Sequence, residues 1–114
     1  MRSWLMKSLA MVAALFMLAG GPFMSTASAG AKIALVLDVG GRGDLSFNDM
    51  GFKGTDEAQA NLGVEVVEIQ SNSAADYLPN MQNAARSGKF DLIVAVGFLL
   101  ADAMAEVADQ FPDQ

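Results

Sequence analysis

The sequence predicts an α/β fold, a doubly wound parallel sheet with strand order 2-1-3. Strand-like and helical segments alternate after residue 30 in a β-α-β-α-β-α pattern, which is typical of parallel sheets with helices on both faces. Two of the strand-like segments are unbroken apolar runs, as expected for strands that are covered on both faces. The chain of 114 residues has room for one domain at most.

Each strand is predicted from its apolar run. Residues 33–37 and 92–96 are wholly apolar and are expected to form the central strands. Residues 64–69 contain two glutamates among valines and an isoleucine, which favours a strand nearer the edge. The first strand then lies between the second and the third.

Helical spacing predicts three helices between and after the strands. The first runs from about residue 48 to 62, and its predicted sheet-facing stripe consists of Met50, Gly54, Ala58 and Leu62. The second begins after Asp76 as its cap, with Pro79 in the first turn and Gly88 as its stop. The third ends before Pro112. Its predicted apolar face consists of Leu100, Ala103, Met104, Val107 and Phe111.

Residues 1–29 have the layout of a secretory signal peptide. Basic residues at positions 2 and 7 precede an apolar run at 9–18, and small residues end the segment at Ala29. The run is shorter than the roughly 20 residues that span a bilayer. Because no cysteine follows, the protein is expected to be periplasmic or secreted after cleavage near Ala29, and not lipid-anchored.

Composition excludes several classes of function. Without Arg2 and Lys7, five basic residues remain against 13 acidic ones, a net charge of −8, which argues against nucleic-acid binding. The absence of histidine and cysteine excludes Cys/His zinc sites, disulfides and nucleophiles activated by histidine. No cofactor or metal is expected, although a carboxylate-bound metal stays formally open.

The predicted ligand site lies where the winding of the sheet reverses, at the carboxyl ends of the first and third strands. The loop at residues 38–48 and the pair Gly97-Phe98 meet there. The loop glycines do not form a dinucleotide fingerprint or a Walker loop. Ser46 and Asp49 have the spacing of a helix start, so both are expected to cap the first helix.

Five residues are candidates for ligand contact, each with a structural alternative. Phe47 could stack on a planar ring or pack on the following helix. Asp38 could accept hydrogen bonds from a ligand or from loop amides, and Asn48 could bind a heterocycle or ribose or act as an N-cap. Phe98, after Gly97, could form part of the same wall or pack beneath the third helix.

Several motifs together resemble the basic membrane protein family, whose members are substrate-binding proteins of ABC transporters related to bacterial purine nucleoside receptors. The motifs are Asp38-Val39-Gly40-Gly41, Asp44-x-Ser46-Phe47-Asn48, Ala75-Asp76-Tyr77-x-Pro79-Asn80, Val96-Gly97-Phe98 and Phe111-Pro112-Asp113. The match covers nearly all of residues 31–114. It implies a periplasmic binding protein-like fold that encloses a nucleoside between two lobes. Phe47 then matches a base-stacking aromatic, and Asp38 and Asn48 match polar ligand contacts.

The resemblance also sets the expected domain organisation and function. Residues 30–114 are expected to be a partial N-terminal lobe of a truncated solute-binding protein. The expected function is the capture of a nucleoside, in the first place a purine nucleoside, for an ABC importer with a membrane permease as partner. The alternatives are an exported sensory or interaction module with the same fold and, much less favoured, a hydrolase built on Asp38 and Asp44.

Overall fold

The computed structural model describes residues 30–114. The strands are β1 (Lys32–Leu37), β2 (Glu65–Gln70) and β3 (Leu92–Val96), and the helices are α1 (Phe47–Leu62), α2 (Tyr77–Ser87) and α3 (Ala101–Gln110). Short 3₁₀ turns at Ala74–Asp76 and Phe98–Leu100 precede α2 and α3. The predicted signal peptide at residues 1–29 lies outside the described residues.

The three strands form one parallel sheet in the order β2-β1-β3, which confirms the predicted order 2-1-3. Strand β1 pairs with β2 from Lys32 opposite Glu65 to Leu37 opposite Gln70. On its other side, β1 pairs with β3, and Leu37 lies opposite Val96. The carboxyl ends of the strands are therefore level, so the segments that follow them emerge side by side.

Helices cover both faces of the sheet, as the doubly wound prediction requires. On one face, Phe52 of α1 packs on Leu35 and Leu37. On the other, Val36 packs with residues of α2 and α3 such as Met81 and Val107. Alternate residues of β1 thus enter opposite cores, which explains why the strand is apolar throughout residues 33–37, after Lys32.

The face of α1 that meets the sheet differs from the prediction. Met50 and Leu62 are 58% and 73% exposed, whereas Phe52 is only 3% exposed. Asn48 is buried on the same helix. The helix is rotated so that the ring of Phe52, a large apolar side chain, enters the core. The predicted stripe of Met50, Gly54, Ala58 and Leu62 was therefore wrong.

The other two helices agree with the sequence more closely. Pro79 lies in the first turn of α2, which ends at Ser87 with Gly88 next. Asp76 stands at the predicted N-cap position of α2 but makes no side-chain capping bond there, since its carboxylate accepts hydrogen bonds from the amides of Asn72 and Ser73 at 2.9 and 3.0 Å. In α3 the predicted face packs inward. None of the helices in residues 30–114 has the length and apolar character of a membrane span.

Candidate functional site

The predicted site is assembled at the carboxyl edge of the sheet. Residues 38–46, called the glycine-rich loop below, connect β1 to α1. Asp38 is the first residue after β1, and Gly97 is the first after the neighbouring strand β3. Because Leu37 and Val96 are paired, Asp38 and Gly97, which follow them, lie next to each other at the carboxyl edge of the sheet.

Asp38 and Asn48 are hydrogen-bonded to each other. The Asn48 Nδ2 donates to Asp38 Oδ1 at 2.7 Å, and the amide of Gly40 donates to the same oxygen at 2.8 Å. Both residues are buried, Asp38 at 9% exposure and Asn48 at 1%. Asp38 does accept a loop amide, as its structural alternative predicted. Its Oδ2 accepts no hydrogen bond from any described residue.

Asn48 joins two carboxylates rather than capping α1. Its Nδ2 also donates to Asp44 Oδ2 at 2.9 Å, and its position is the second of the helix, so it is not the N-cap. The Asn48 Oδ1 is buried and has no hydrogen-bond partner among residues 30–114. A buried acceptor of this kind is uncommon in folded proteins and is often satisfied by a bound water or ligand.

Gly97 brings the backbone of the β3 end close to Asp38. Its φ is +97°, a conformation that L side chains rarely adopt. A Cβ at this position would lie 3.3 Å from Asp38 Oδ2. A glycine is favoured at this position for two reasons. Its backbone conformation disfavours side chains, and a Cβ would lie in tight contact with the free oxygen of the carboxylate.

Phe47 and Phe98 form an exposed aromatic pair. Their ring centroids are 6.3 Å apart and the rings are edge to face, at 83°. Phe47 is 57% exposed and Phe98 is 74% exposed, so neither is absorbed into the core. Packing of Phe98 beneath α3 is thus not observed. The geometry leaves ring faces free to contact a planar group.

Asp44, rather than Ser46 or Asp49, caps α1. Ser46 stands at the N-cap position but makes no side-chain capping bond. The Asp44 carboxylate accepts hydrogen bonds from the amides of Ser46, Asn48 and Asp49 at 2.9 to 3.0 Å. Burial on its own raises the pKa of Asp44, but these amides and the Asn48 side chain outweigh it and lower that pKa from 3.8 to about 2.

Asp49 closes the loop from the other side. Its two oxygens accept the amides of Gly43 at 2.7 Å and Leu45 at 3.0 Å. These bonds hold Leu45 at φ 53° with its side chain 92% exposed. The predicted capping of α1 by Ser46 and Asp49 is therefore wrong, because Ser46 makes no side-chain capping bond and Asp49 accepts amides that precede the helix.

The low pKa of Asp44 predicts a loss of stability in acid. A carboxyl whose pKa is depressed on folding stabilises the protein above its ordinary pKa of 3.8 and loses this effect as pH falls through about 2. We expect the advantage of the wild type over Asp44→Asn, measured by urea unfolding, to be constant at neutral pH and to shrink between those two values. An equal advantage on both sides of that window would contradict this assignment.

The structure brings together all five predicted residues, Asp38, Phe47, Asn48, Gly97 and Phe98. Asp44 was missed as the capping residue, although its position two residues before Ser46 is a typical signal for a side-chain turn. In the part of the chain that the structure describes, no group of three or more acidic residues is arranged to hold a metal ion.

A family model described as Bmp, PnrA-like ABC transporter substrate-binding protein, matches residues 31–114. The chain belongs to the Bmp family. Its fold also agrees with that of a solved structure, an ABC transporter solute-binding protein from Aeropyrum pernix K1, at a TM-score of 0.70 and 46% identity. That match covers 74% of this chain and 23% of the neighbour.

Curated relatives of this Bmp-family chain are considerably longer. An uncharacterized lipoprotein of Pyrococcus abyssi is 45% identical over 95 residues, which cover 83% of this chain and 24% of the relative. A protein of Lactococcus lactis named ABC transporter nucleoside-binding protein is 35% identical over 85 residues, 71% of this chain and 24% of the relative. The chain thus spans about a quarter of the length of the curated relatives it matches.

One prediction from the sequence is corrected by these relatives. The protein was expected to be periplasmic or secreted and not lipid-anchored, but the Bmp-family relatives from three Pyrococcus species are named lipoproteins. The prediction depended only on the absence of cysteine from this sequence. A lipid anchor is attached at a single residue of a lipoprotein, so the sheet and helices of residues 30–114 do not reveal whether one is present.

Proposed function

We propose that this Bmp-family chain binds a nucleoside, in the first place a purine nucleoside, at the carboxyl edge of its sheet. The observation that carries the proposal is the exposed ring pair of Phe47 and Phe98 beside the free Oδ2 of Asp38. A nucleoside has both a planar base, which stacks on aromatic rings, and hydroxyl or N–H donors, which a carboxylate accepts.

The charge of the site favours an uncharged ligand with donors. Asp38 supplies a carboxylate, and the Asn48 Oδ1 supplies a buried acceptor without a partner among the described residues. Arg42, the basic residue of the glycine-rich loop, is engaged with Glu68. The site therefore offers acceptors and aromatic surface but no cation for a phosphate, which suits a nucleoside better than a nucleotide.

The transport role is proposed from the family and one relative. The Lactococcus lactis relative carries the name of a nucleoside-binding protein, and ABC substrate-binding proteins deliver a small molecule to a membrane permease. We propose the same partner here, with no chemical change to the ligand. Residues 30–114 then form part of one lobe, and the ligand is enclosed between this lobe and another.

Calorimetric titration tests the proposal. Residues 30–114 would replace the matching segment of the Lactococcus lactis relative, so that the rest of a full-length family member is present. Adenosine, guanosine, inosine and uridine are the ligands, with ribose as a control that lacks a base. Binding of the purine nucleosides is expected. Binding of ribose alone with equal affinity would contradict the role of the rings.

In that chimaera, Phe47→Ala is expected to weaken nucleoside binding by about 1 to 3 kcal/mol, the range for loss of one stacking aromatic. Phe47→Tyr keeps a ring and should retain most of the affinity, whereas Phe47→Leu keeps the bulk without the ring and should not. If all three variants had the dissociation constant of the unmodified chimaera, Phe47 would be only a surface residue.

A further inference from the structure

Gln70, the last residue of β2, holds the backbone of Asp38. Its side-chain amide nitrogen donates to the carbonyl oxygen of Asp38 at 2.7 Å and to that of Ser71 at 2.7 Å. These bonds connect the edge strand to the first residue of the glycine-rich loop. Nothing in the sequence signalled this role, because a polar residue at the end of an edge strand is typical of an exposed position.

The same side chain also supports the loop by packing. Gly41, at φ +59°, lies so close to Gln70 that a Cβ on it would be 2.6 Å from Gln70 Oε1. The next residue, Arg42, pairs with Glu68 of β2 and lies over the ring of Phe52 at 3.5 Å from its centroid. Strand β2 therefore contacts the loop through Glu68 and Gln70, two alternate residues on the face of the sheet that α1 covers.

We propose that Gln70 is a positioning residue for ligand binding, which it supports by fixing the Asp38 backbone so that the carboxylate faces the ligand. The inference rests on the proposed function of the site. A neutral amide is suited to this task because its two N–H donors match two carbonyl oxygens. A glutamate has the same shape but, when ionised, places negative oxygens against both carbonyls.

Gln70→Glu tests the positioning directly in the purified chain. The amide of Gly40, which donates to Asp38 Oδ1, reports whether Asp38 is held, and its hydrogen exchange is measured by NMR. We expect exchange at least about tenfold faster than in the wild type at about pH 8, because the opposed oxygens release the loop. Normal exchange for this amide in Gln70→Glu would overturn the proposal.

A pH profile separates positioning from a general loss of stability. The titratable or basic groups on the segments around Gln70 are Asp38, Arg42, Glu68 and Asp76. Once protonated, the new carboxyl can donate one hydrogen bond, so protection in Gln70→Glu should recover as pH is lowered from about 8 to 5. Gln70→Met, which removes both donors without adding charge, should show weaker protection that does not change with pH. It also serves if the glutamate variant fails to fold.

The link to the ligand is tested in the chimaera. Gln70→Glu should raise the dissociation constant for a nucleoside by about tenfold or more, and the affinity should recover over the same pH range. Gln59→Glu, an equal charge change on the exposed side of α1, is the matched control and should change neither readout.

Loss of loop protection with unchanged affinity would overturn the role in binding. If the unmodified chimaera bound no nucleoside, the proposed function would fail, and amide exchange would still decide whether Gln70 positions Asp38.

Discussion

Asn48→Asp is expected to lower the free energy of unfolding by about 3 to 5 kcal/mol at neutral pH, because hydrogen bonds to charged groups contribute about 1.5 to 3 kcal/mol each. The Asn48 amide nitrogen donates to Asp38 at 2.7 Å and to Asp44 at 2.9 Å. Aspartate of the same shape has no donor when ionised, so a carboxylate buried at position 48 would face the carboxylates of Asp38 and Asp44 without a hydrogen bond to either.

The test is urea unfolding of the purified chain at several pH values. The deficit should shrink near about pH 3, where a protonated carboxyl can again donate. Asn83→Asp, on the exposed surface of α2, is the control and should stay within about 0.5 kcal/mol of the wild type. If both variants were equally stable at neutral pH, the bridge between the two carboxylates would not be structural.

Asp38→Asn is expected to weaken nucleoside binding by about 1.5 to 3 kcal/mol, or about 10- to 150-fold, the range for a hydrogen bond to a charged group. The free Oδ2 of Asp38 is the carboxylate oxygen that faces Gly97. If the asparagine oxygen keeps the place of Oδ1, which accepts from Gly40 and Asn48, its NH2 group replaces Oδ2 and can only donate, so it repels the donors that the ligand presents. Titration of the chimaera with adenosine and inosine measures the loss.

Asp91→Asn is the matched control for this measurement. The Asp91 carboxylate also accepts a backbone amide, that of Lys32 at 2.7 Å, but it lies at the amino end of the strands, away from the site. We expect its nucleoside affinity to equal that of the unmodified chimaera. A parallel loss in both variants would attribute the effect to stability and remove Asp38 from the ligand contacts.

The strands could be predicted from the sequence because unbroken apolar runs mark them, although only β1 is central and buried, while β3 lies at an edge of the described sheet with Leu92 50% exposed. Residues 92–96 are apolar at every position, and β3 has those bounds. The phase of α1 could not be predicted in the same way. Met50 and Leu62 favour one face by spacing, but Phe52 has more surface to bury, and the choice between them depends on the shape of the sheet.

The sequence predicted that the five candidate residues lie near one another, but it did not predict the hydrogen bonds that they make. Chain order places Asp38 and Gly97 at neighbouring strand ends, which is enough to bring the five candidates together. Which carboxylate receives which amide depends on the loop's conformation, so Ser46 and Asp49 were assigned the capping role that Asp44 has. The hydrogen bond from Gln70 to Asp38 joins residues 32 positions apart in the sequence, so no local sequence pattern could predict it.

The carboxylates of Asp38 and Asp44 in the glycine-rich loop, and that of Asp49 at the start of α1, have only neutral hydrogen-bond donors as partners within the described part of the chain. Asp38, Asp44 and Asp49 accept hydrogen bonds from amide groups, while the two ion pairs among residues 30–114 involve Glu65 and Glu68. Dissolved salt screens ion pairs over a Debye length of about 8 Å at physiological ionic strength, but it does not displace amides that are fixed in the chain. Salt should therefore weaken the Arg42–Glu68 pair that joins the loop to β2, while the bonds from amides to Asp38 and Asp44 keep the loop's internal shape.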